Sequence, residues 1–318
     1  MHKRYFIILL GVILSVFVGL SLFFWKTANS KIISQGGRVN VLILGKSGTG
    51  HAGADLTDTM MLVSISLEKK SVNLISIPRD IWIPEIRAKI NSAYYWGRQK
   101  PEFGGGLSFA KKNIETITGL PVNYALVLDF SSFKDIINAL GGVNVDVANS
   151  FTDNLYPIAG KENDLCDGGK ELKCRYETIR FEKGVNFMDG TTALKFVRSR
   201  NGDNNENTDI AREMRQQKVI SAIKNKILSY QTLLNPVKLI RFWKVASSSI
   251  ETDLDFSSIA VLGKRFLIAG ENVHSLAIPD GILISPPKSQ KYDFQYVFTP
   301  KVAGDWSEFQ NWVKSILF

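Results

Sequence analysis

An uncharged run of 21 residues, Tyr5–Trp25, constrains the fold more than any other feature of the chain. As a helix it would be about 31 Å long, which is enough to cross the hydrocarbon core of a bilayer. A cleaved signal peptide would have a shorter apolar core and a small-residue cleavage site, which residues 27–29 match poorly. The run therefore predicts one transmembrane anchor over 5–25. Lys3 and Arg4 place the short tail 1–4 in the cytoplasm.

The anchor predicts a linker over 26–37 and an extracytoplasmic domain over 38–318, on the outer side of the plasma membrane. A domain of this length can bury a large core. The formal net charge of the chain, +9, favours an anionic partner such as a phosphorylated glycan or an acidic membrane. The sequence has no lysine-rich tail and no basic stretch studded with aromatic residues, which disfavours nucleic acid as a partner.

Runs with strand and helix periodicity alternate from residue 38 onward, which predicts a layered α/β domain. The runs 59–67 and 71–77 are interpreted as an antiparallel hairpin. The polar stretch 151–183 is predicted to be a long loop, and the Asn-rich stretch 201–207 a mobile loop. Other strands are predicted at 38–44, 124–128, 143–147, 273–278 and 296–299, and helices at 107–118, 131–140, 190–197, 210–229, 237–248, 257–269 and 306–317.

The two cysteines, Cys166 and Cys174, lie eight positions apart in a polar segment. In an oxidising compartment such a pair predicts a disulfide that closes a small surface loop. A zinc site would need two more ligands, and none lies nearby at a suitable spacing.

Over a stretch of 20 positions, four arginines are combined with Asp209 and two glutamines: Arg198, Arg200, Arg212, Arg215, Gln216 and Gln217. If the second half is helical, Asp209, Arg212 and Gln216 share one face, with Arg215 beside them. Planar guanidinium groups bind phosphate or pyrophosphate oxygens bidentately. A solvated basic helix is the alternative that the charge run alone would favour.

Carboxylates and hydroxyls also gather just before the strand 59–67, where Asp55 and Asp58 flank Thr57. A Mg²⁺ ion binds through one or two carboxylates together with substrate phosphates, so the group is a candidate metal site. A turn with an Asx cap is an equally good interpretation.

Two further basic motifs follow the second strand of the hairpin. The first, Ser76–Asp80, contains Arg79 beside Asp80, and the second contains Lys89 and Asn91. Both are candidates for a phosphate site. A local Arg–Asp surface pair is the alternative interpretation of the first motif and would contribute little.

Taken in order, six segments resemble the motifs of the LytR–CpsA–Psr family of cell-wall phosphotransferases. The resemblance extends over about 38–226, while 227–318 resemble the family only in general character, as an extension of the same domain. The segments are LTDTMML (56–62), SIPRD (76–80), KINSA (89–93), ALGGVNVD (139–146), MDGTTALKFVRSR (188–200) and DIAREMRQQ (209–217).

The resemblance implies a three-layer α/β/α sandwich with a central mixed sheet and an apolar tunnel for a lipid tail. It implies an enzyme that moves a glycopolymer, with one phosphate, from a polyprenyl-pyrophosphate carrier to a sugar hydroxyl of peptidoglycan. Polyprenyl phosphate would be released. The implied partners are the lipid-linked glycan, the peptidoglycan acceptor and the plasma membrane, and nucleic acid is not among them.

The resemblance also implies roles for residues of this chain. The implied catalytic residues are Asp58, Arg79, Asp209 and Arg212. The implied pyrophosphate ligands are Arg79, Lys89, Arg198, Arg200, Arg212, Arg215 and Gln216. Asp58, with Asp55, would hold Mg²⁺ or Mn²⁺ as the cofactor, and Asp209 would either orient Arg212 or act as a base toward the acceptor.

The sequence departs from the family pattern at two places. Family members usually have an aspartate two positions after the glycine that ends the first strand, where this chain has Ser47 after Lys46. They also often have Arg-Ser where this chain has Leu56 and Thr57. Either Asp55 replaces the missing carboxylate, or Asp58 and the phosphates hold the metal alone.

The departures leave two other functions open. A polyprenyl-pyrophosphate phosphatase would use water instead of a sugar acceptor. A non-catalytic sensor of wall precursors, or a transcription attenuator, would bind the lipid without turning it over.

Overall fold

The computed structural model describes residue 34 and residues 36–49, 53–270 and 272–318. The predicted anchor over 5–25 and most of the predicted linker lie outside these residues. No helix in the part of the chain that is described has the length and apolar character needed to cross a membrane.

The strands, in chain order, are β1 (Arg38–Lys46), β2 (Thr59–Ser66), β3 (Val72–Ser76), β4 (Trp82–Ile83), β5 (Ala88–Lys89), β6 (Tyr124–Asp129), β7 (Val143–Val147), β8 (Phe151–Pro157), β9 (Tyr176–Phe181), β10 (Gly184–Met188), β11 (Glu251–Thr252), β12 (Val273–Leu276), β13 (Leu283–Ile284) and β14 (Thr299–Pro300). The helices are α1 (Ala93–Gln99), α2 (Gly106–Thr118), α3 (Phe130–Ala139), α4 (Gly190–Arg198), α5 (Asp209–Leu228), α6 (Tyr230–Leu233), α7 (Pro236–Ser249), α8 (Phe256–Ala269) and α9 (Ser307–Leu317).

The central sheet has six strands in the order β11-β6-β1-β2-β3-β12. Strand β1 pairs parallel with β6 and antiparallel with β2, so the sheet is mixed. Strands β2 and β3 form the predicted antiparallel hairpin. The predicted fold class, α/β with a central mixed sheet, is confirmed.

Both faces of the sheet are covered, which explains the nearly continuous apolar sequence of β1. Leu42 and Leu44 face a core that also contains Tyr94 of α1, Phe109 of α2 and Phe309 of α9. On the opposite face, alternate residues of the same strands pack against α8. Helices thus lie on both sides of the sheet.

A second group of elements, β7–β10 with α3, α4 and α5, has its own apolar core. Phe181 lies between Phe151 and Phe196, with ring centroids 5.2 and 5.0 Å away. The prediction of a long loop over 151–183 is wrong, because β8 and β9 pair antiparallel, with Phe151 opposite Phe181. In β8 the alternation is hidden in the sequence, because the buried residue Asp153 is polar and the pairing shifts register between Asp153 and Tyr156.

Smaller differences concern the ends of other elements. The strand predicted at 296–299 is reduced to β14, which pairs with β13. The loop 201–207 is held by specific contacts, including a hydrogen bond from Thr152 N to Asp203 Oδ1 (2.7 Å) and an ion pair of Glu206. The prediction of a mobile loop over 201–207 therefore does not account for these contacts with the rest of the fold.

Candidate active site

Several predicted site residues meet at one edge of the sheet. Strand β3 runs parallel to β1, since both pair antiparallel with β2, and β6 is parallel to β1 as well. The carboxyl ends of β1, β3 and β6 and the amino end of β2 therefore share an edge. Lys46, Asp58 and Arg79 lie at or next to these ends. Ligands of open α/β sheets bind at the carboxyl ends of strands.

Asp58 is the centre of the first cluster at this edge. Its Oδ1 forms an ion pair with Arg79 Nη1 at 2.8 Å and accepts a hydrogen bond from Asn91 Nδ2 at 3.2 Å. Asn91 is fixed in turn, because its carbonyl oxygen accepts from the backbone N (2.8 Å) and Oγ1 (3.0 Å) of Thr57. The Asp58 side chain is 46% exposed, so the cluster faces solvent.

Asp80 connects Lys89 to this cluster, because it contacts both Arg79 and Lys89. Its two carboxylate oxygens lie 3.6 Å from Arg79 Nε and 2.5 Å from Lys89 Nζ. Three separate segments of the sequence thus supply one network of alternating charge.

Lys46 and Asp55 form a second cluster beside the first. Lys46 Nζ donates to Asp55 Oδ1 at 2.9 Å, and Arg98 Nη1 lies 3.9 Å from the same oxygen. The hydrogen bond from Lys46 holds the pKa of the Asp55 carboxyl below its ordinary value. The Lys46 ammonium also lies 5.5 Å from the ring centroid of Tyr94. Asp55 is therefore engaged by cations of the chain itself.

Tyr94 and Glu251 were not predicted as site residues. The Tyr94 hydroxyl donates to Glu251 Oε2, and burial, reinforced by this carboxylate, raises the pKa of Tyr94 well above its ordinary value. The Tyr94 ring is fully buried in the core. No sequence motif indicates Glu251.

Arg198 is the last residue of α4 and points to the same edge of the sheet. Its guanidinium carbon lies 4.1 Å from the ring centroid of Phe130, and its Nη1 donates to the Tyr156 hydroxyl at 3.3 Å. Phe130 directly follows Asp129, which is opposite Lys46 in the β1–β6 register. Arg198 therefore lies at the same edge of the sheet as the carboxylate motifs.

Local sequence explains why α4 begins where it does. The Asp189 side chain caps the helix by accepting from Thr192 N at 2.7 Å. Gly190 follows, and a Cβ at this position would overlap the backbone of Lys134 in α3. The close approach of α4 to α3 therefore requires glycine.

The turn that carries Arg200 is fixed by a buried carboxylate, Asp153. Its Oδ2 accepts from Ser199 Oγ at 2.7 Å and from the backbone N of Arg200 at 3.2 Å. Asp153 and Ser199 are fully buried, whereas Arg200 is exposed. Asp153 lies in the segment predicted to be a loop, so its supporting role was missed.

Arg215 requires a correction. It is only 3% exposed, and its nitrogens donate to Phe196 O (3.0 Å), Glu206 Oε2 (2.7 Å) and Ser199 O (2.6 Å). Burial lowers the pKa of Arg215, while Glu206 acts in the opposite direction. Since its donors are directed to the end of α4 and the following loop, Arg215 is a positioning residue and does not offer a fork to a pyrophosphate.

Arg212 and Gln216 lie half-buried near the start of α5. This helix is capped by Thr208, whose Oγ1 accepts from Ala211 N at 3.1 Å. Through Arg215, the start of α5 is joined to the end of α4, and so to Arg198. Asp209 is the first residue of α5, and its side chain lies outside the part of the structure that is described.

The residues present fit a metal at Asp58 better than at Asp55. In the described chain, only Asp164, Cys166 and Cys174 form a group of three acidic, histidine or cysteine side chains with their ligand atoms together. The two cysteines form the predicted disulfide, which is confirmed, with Cα atoms 5.5 Å apart. Mg²⁺ commonly uses one carboxylate plus substrate phosphates, and half-exposed Asp58 suits that arrangement. Each carboxylate is paired with a cation of the chain, but Asp58 meets one, Arg79, which it shares with Asp80, whereas Asp55 lies within 4 Å of two, Lys46 and Arg98.

A mixed α/β sheet with cationic and carboxylate side chains gathered at one edge defines an α/β protein with a candidate anion-binding site. The sequence identifies the family to which the chain belongs. It belongs to the LytR_cpsA_psr family, whose model matches residues 25–302.

The chain is similar to transferases of known name. It is 25% identical over 251 residues to the polyisoprenyl-teichoic acid–peptidoglycan teichoic acid transferase TagU of Bacillus cereus, covering 78% of this chain and 70% of the relative. The crystal structure of Bacillus subtilis TagV matches with a TM-score of 0.60 and 23% identity over 89% of this chain and 97% of that one. TagT bound to LI-WTA matches with a TM-score of 0.57 and 21% identity over 91% and 93% of the two chains. The prediction of an enzyme of the transferase class is confirmed by these relatives.

Proposed function

We propose that this protein transfers a glycopolymer, together with one phosphate, from a polyprenyl-pyrophosphate carrier to a hydroxyl of peptidoglycan, and releases polyprenyl phosphate. The observation that carries the proposal is the single sheet edge that joins the Asp58–Arg79 ion pair to Arg198. The names of the relatives, which describe polyisoprenyl-linked teichoic acid as donor and peptidoglycan as acceptor, support it.

In this proposal the pyrophosphate lies between the two motif groups. Arg198, Arg200 and Arg212 would bind its oxygens, because guanidinium groups on half-buried or exposed side chains present charged donors in fixed directions. Gln216 and Lys89 would add hydrogen-bond donors at the periphery of the proposed pyrophosphate site. Arg79 would exchange its contact with Asp58 for a contact with phosphate as the substrate enters.

Asp58 would hold the proposed Mg²⁺ or Mn²⁺. When bound, such an ion neutralises the charge that develops on transferred phosphate oxygens. Lys46 and Arg98 supply fixed positive charge on the Asp55 side of the site. Asp209 is proposed either to orient Arg212 or to accept the proton of the acceptor hydroxyl.

Two cavities along α5 offer space for the donor. One of about 360 Å³ has a mixed lining, in which Leu74, Phe266 and Val273 are apolar and Lys218 and Lys224 are cationic. The other, of about 610 Å³, has a mixed lining that includes Ile210 and Lys183. Both are lined by Met214, so they adjoin on the exposed side of α5. We propose that part of the lipid tail lies here.

The anchor over 5–25 is part of the proposal, with the N-terminus in the cytoplasm and the domain on the outer side of the plasma membrane. A lipid-linked donor is confined to the membrane, so an anchored enzyme would meet it by lateral diffusion.

The experiment incubates the full chain with a polyprenyl-pyrophosphate oligosaccharide and Mg²⁺, with and without peptidoglycan fragments. Mass spectrometry measures released polyprenyl phosphate. Release that requires the acceptor and yields a phosphodiester-linked glycan supports the transferase. Release that is independent of the acceptor would instead indicate the phosphatase.

The Lys46–Asp55 ion pair favours one other candidate, a non-catalytic sensor or transcription attenuator. A cation of the chain beside a carboxylate of the site would stabilise a bound pyrophosphate without turnover. Retained lipid with no release in the same experiment would support this candidate over the transferase.

A further inference from the structure

Exposed apolar side chains cluster on one continuous segment, 230–240, which spans α6 and the first part of α7. Tyr230, Leu234, Val237 and Ile240 are 72%, 80%, 67% and 68% exposed. Exposed Arg241 and Lys244 lie beside them. These six residues are called the α6–α7 face below.

Helix geometry places the four members of this face that belong to α7 on one side of that helix. Val237, Ile240, Arg241 and Lys244 occupy positions i, i+3, i+4 and i+7, so they form one stripe. The opposite side of α7 packs against α3, and its apolar residues Leu239, Phe242 and Val245 are half-buried there. Helix α7 therefore has two different sides. One packs against α3 and stabilises the fold, and the other belongs to the exposed, apolar and cationic α6–α7 face.

The charged residues of the segment that carries this face all have one sign. Between Glu213 and Glu251 the sequence has 37 residues with no aspartate or glutamate and seven lysines or arginines. The segment also contains Tyr230 and Trp243, residue types that are enriched where protein meets the headgroup layer of a bilayer. Exposed apolar side chains beside cations and without acids match the chemistry of an anionic lipid surface.

We propose that the α6–α7 face docks onto an anionic phospholipid bilayer, with Val237 and Ile240 in the interface and Arg241 and Lys244 at the phosphate groups. This contact is separate from the proposed transmembrane anchor. It would fix the orientation of the domain relative to the membrane surface. It does not depend on the proposed transfer reaction.

The test uses the full chain carrying Ile240→Cys and a nitroxide label, reconstituted into vesicles. The two natural cysteines form a disulfide, so the introduced thiol is the one that reacts. Collision rates of the label with oxygen and with a nickel chelate report its depth. The control is Val302→Cys, which replaces a side chain of matching exposure (66%) beside β14.

On vesicles with phosphatidylglycerol, we expect the label at 240 to gain contact with oxygen and lose contact with the nickel chelate. The label at 302 should behave alike on anionic and neutral vesicles. Equal behaviour of the two labels on anionic vesicles would overturn the proposal. Protection at 240 that is the same on neutral vesicles would also overturn it, in favour of a protein occupant such as a second copy of the chain.

The double variant Arg241→Gln/Lys244→Gln tests the charge directly. Each basic residue near an anionic surface adds to the binding free energy of the domain for that surface. Removing two of them should therefore lower the ratio of docked to undocked domain roughly thirtyfold. The matched control, Lys69→Gln/Lys70→Gln, removes two exposed charges from the β2–β3 turn and should leave the depth at 240 unchanged. If both double variants lower the depth equally, net charge and not this face would govern the contact.

Discussion

The sheet edge and the corner between α4 and α5 both collect arginines and carboxylates, but they hold them differently. At the corner, Arg215 and Asp153 are buried and their contacts are with the protein. At the edge, Arg79 and Asp58 are 37% and 46% exposed and meet in a simple ion pair. The comparison teaches that burial, more than residue type, separates residues that build a site from residues available to a ligand.

The largest effect should come from removing the buried arginine. Arg215→Met leaves the Glu206 carboxylate and three carbonyl oxygens without their donor, and losing one partner of a buried pair costs about 3–5 kcal/mol. Urea unfolding of the full chain measures the loss. An unchanged free energy of unfolding, with activity lost, would return Arg215 to the substrate ligands.

Arg198→Ala should have the opposite pattern to Arg215→Met, with a large effect on activity and a small effect on stability. Its guanidinium stacks on Phe130 and would bind pyrophosphate, so we expect the transfer rate to fall about 10²–10³-fold. The free energy of unfolding should change little. Arg180→Ala is a matched control, because Arg180 is 71% exposed and pairs only with nearby Glu182 among the described residues. Normal turnover by the Arg198 variant would refute the assigned role.

The two carboxylates of the edge should differ in metal binding. Asp58→Asn is expected to weaken Mn²⁺ binding roughly tenfold or more, because Asp58 is the proposed ligand. Asp55→Asn should leave it nearly unchanged, since Asp55 lies beside two cations of the chain, Lys46 and Arg98, which oppose a bound metal. Electron paramagnetic resonance of bound Mn²⁺ measures both variants without reference to activity. Equal losses would mean that Asp55 is also a ligand.

The smallest effect concerns pH. The pKa of Asp55 is lowered in the folded state, so its pairing stabilises the protein above the unfolded pKa, which is 3.8. That contribution is lost as the pH falls through the lower folded value. The pair is partly exposed, so the contribution is about 1 kcal/mol or less. Unfolding curves of wild type and Asp55→Asn should differ at pH 6 and converge near pH 2. A difference that persists at pH 2 would contradict this account.

The fold was largely predictable where local pattern and burial agree. Strand β1 is apolar on both faces, and the β2–β3 hairpin has a charged turn between two β-rich runs. Strands β8 and β9 were not predicted, since half of their residues face solvent and the disulfide loop separates them. Pairing over such a distance leaves no local signal.

The candidate site was predictable at the level of motifs. The motif residues Asp58, Arg79, Lys89 and Arg198 do come together at one end of the sheet. The burial of Arg215 was not predictable, because it depends on Glu206 and Ser199, which no motif singles out. Spacing along a helix identifies neighbours but not which of them faces the interior.

The contacts of Asp153 couple the hairpin to the arginine corner as one cooperative unit. Its carboxylate accepts from Leu155 N within β8 and from the backbone of Arg200 and Asn201. Opening of the β8–β9 hairpin would therefore release the turn that carries Arg200. By thermodynamic linkage, a ligand that binds Arg200 should slow amide hydrogen exchange in the hairpin, including at residues the ligand never contacts.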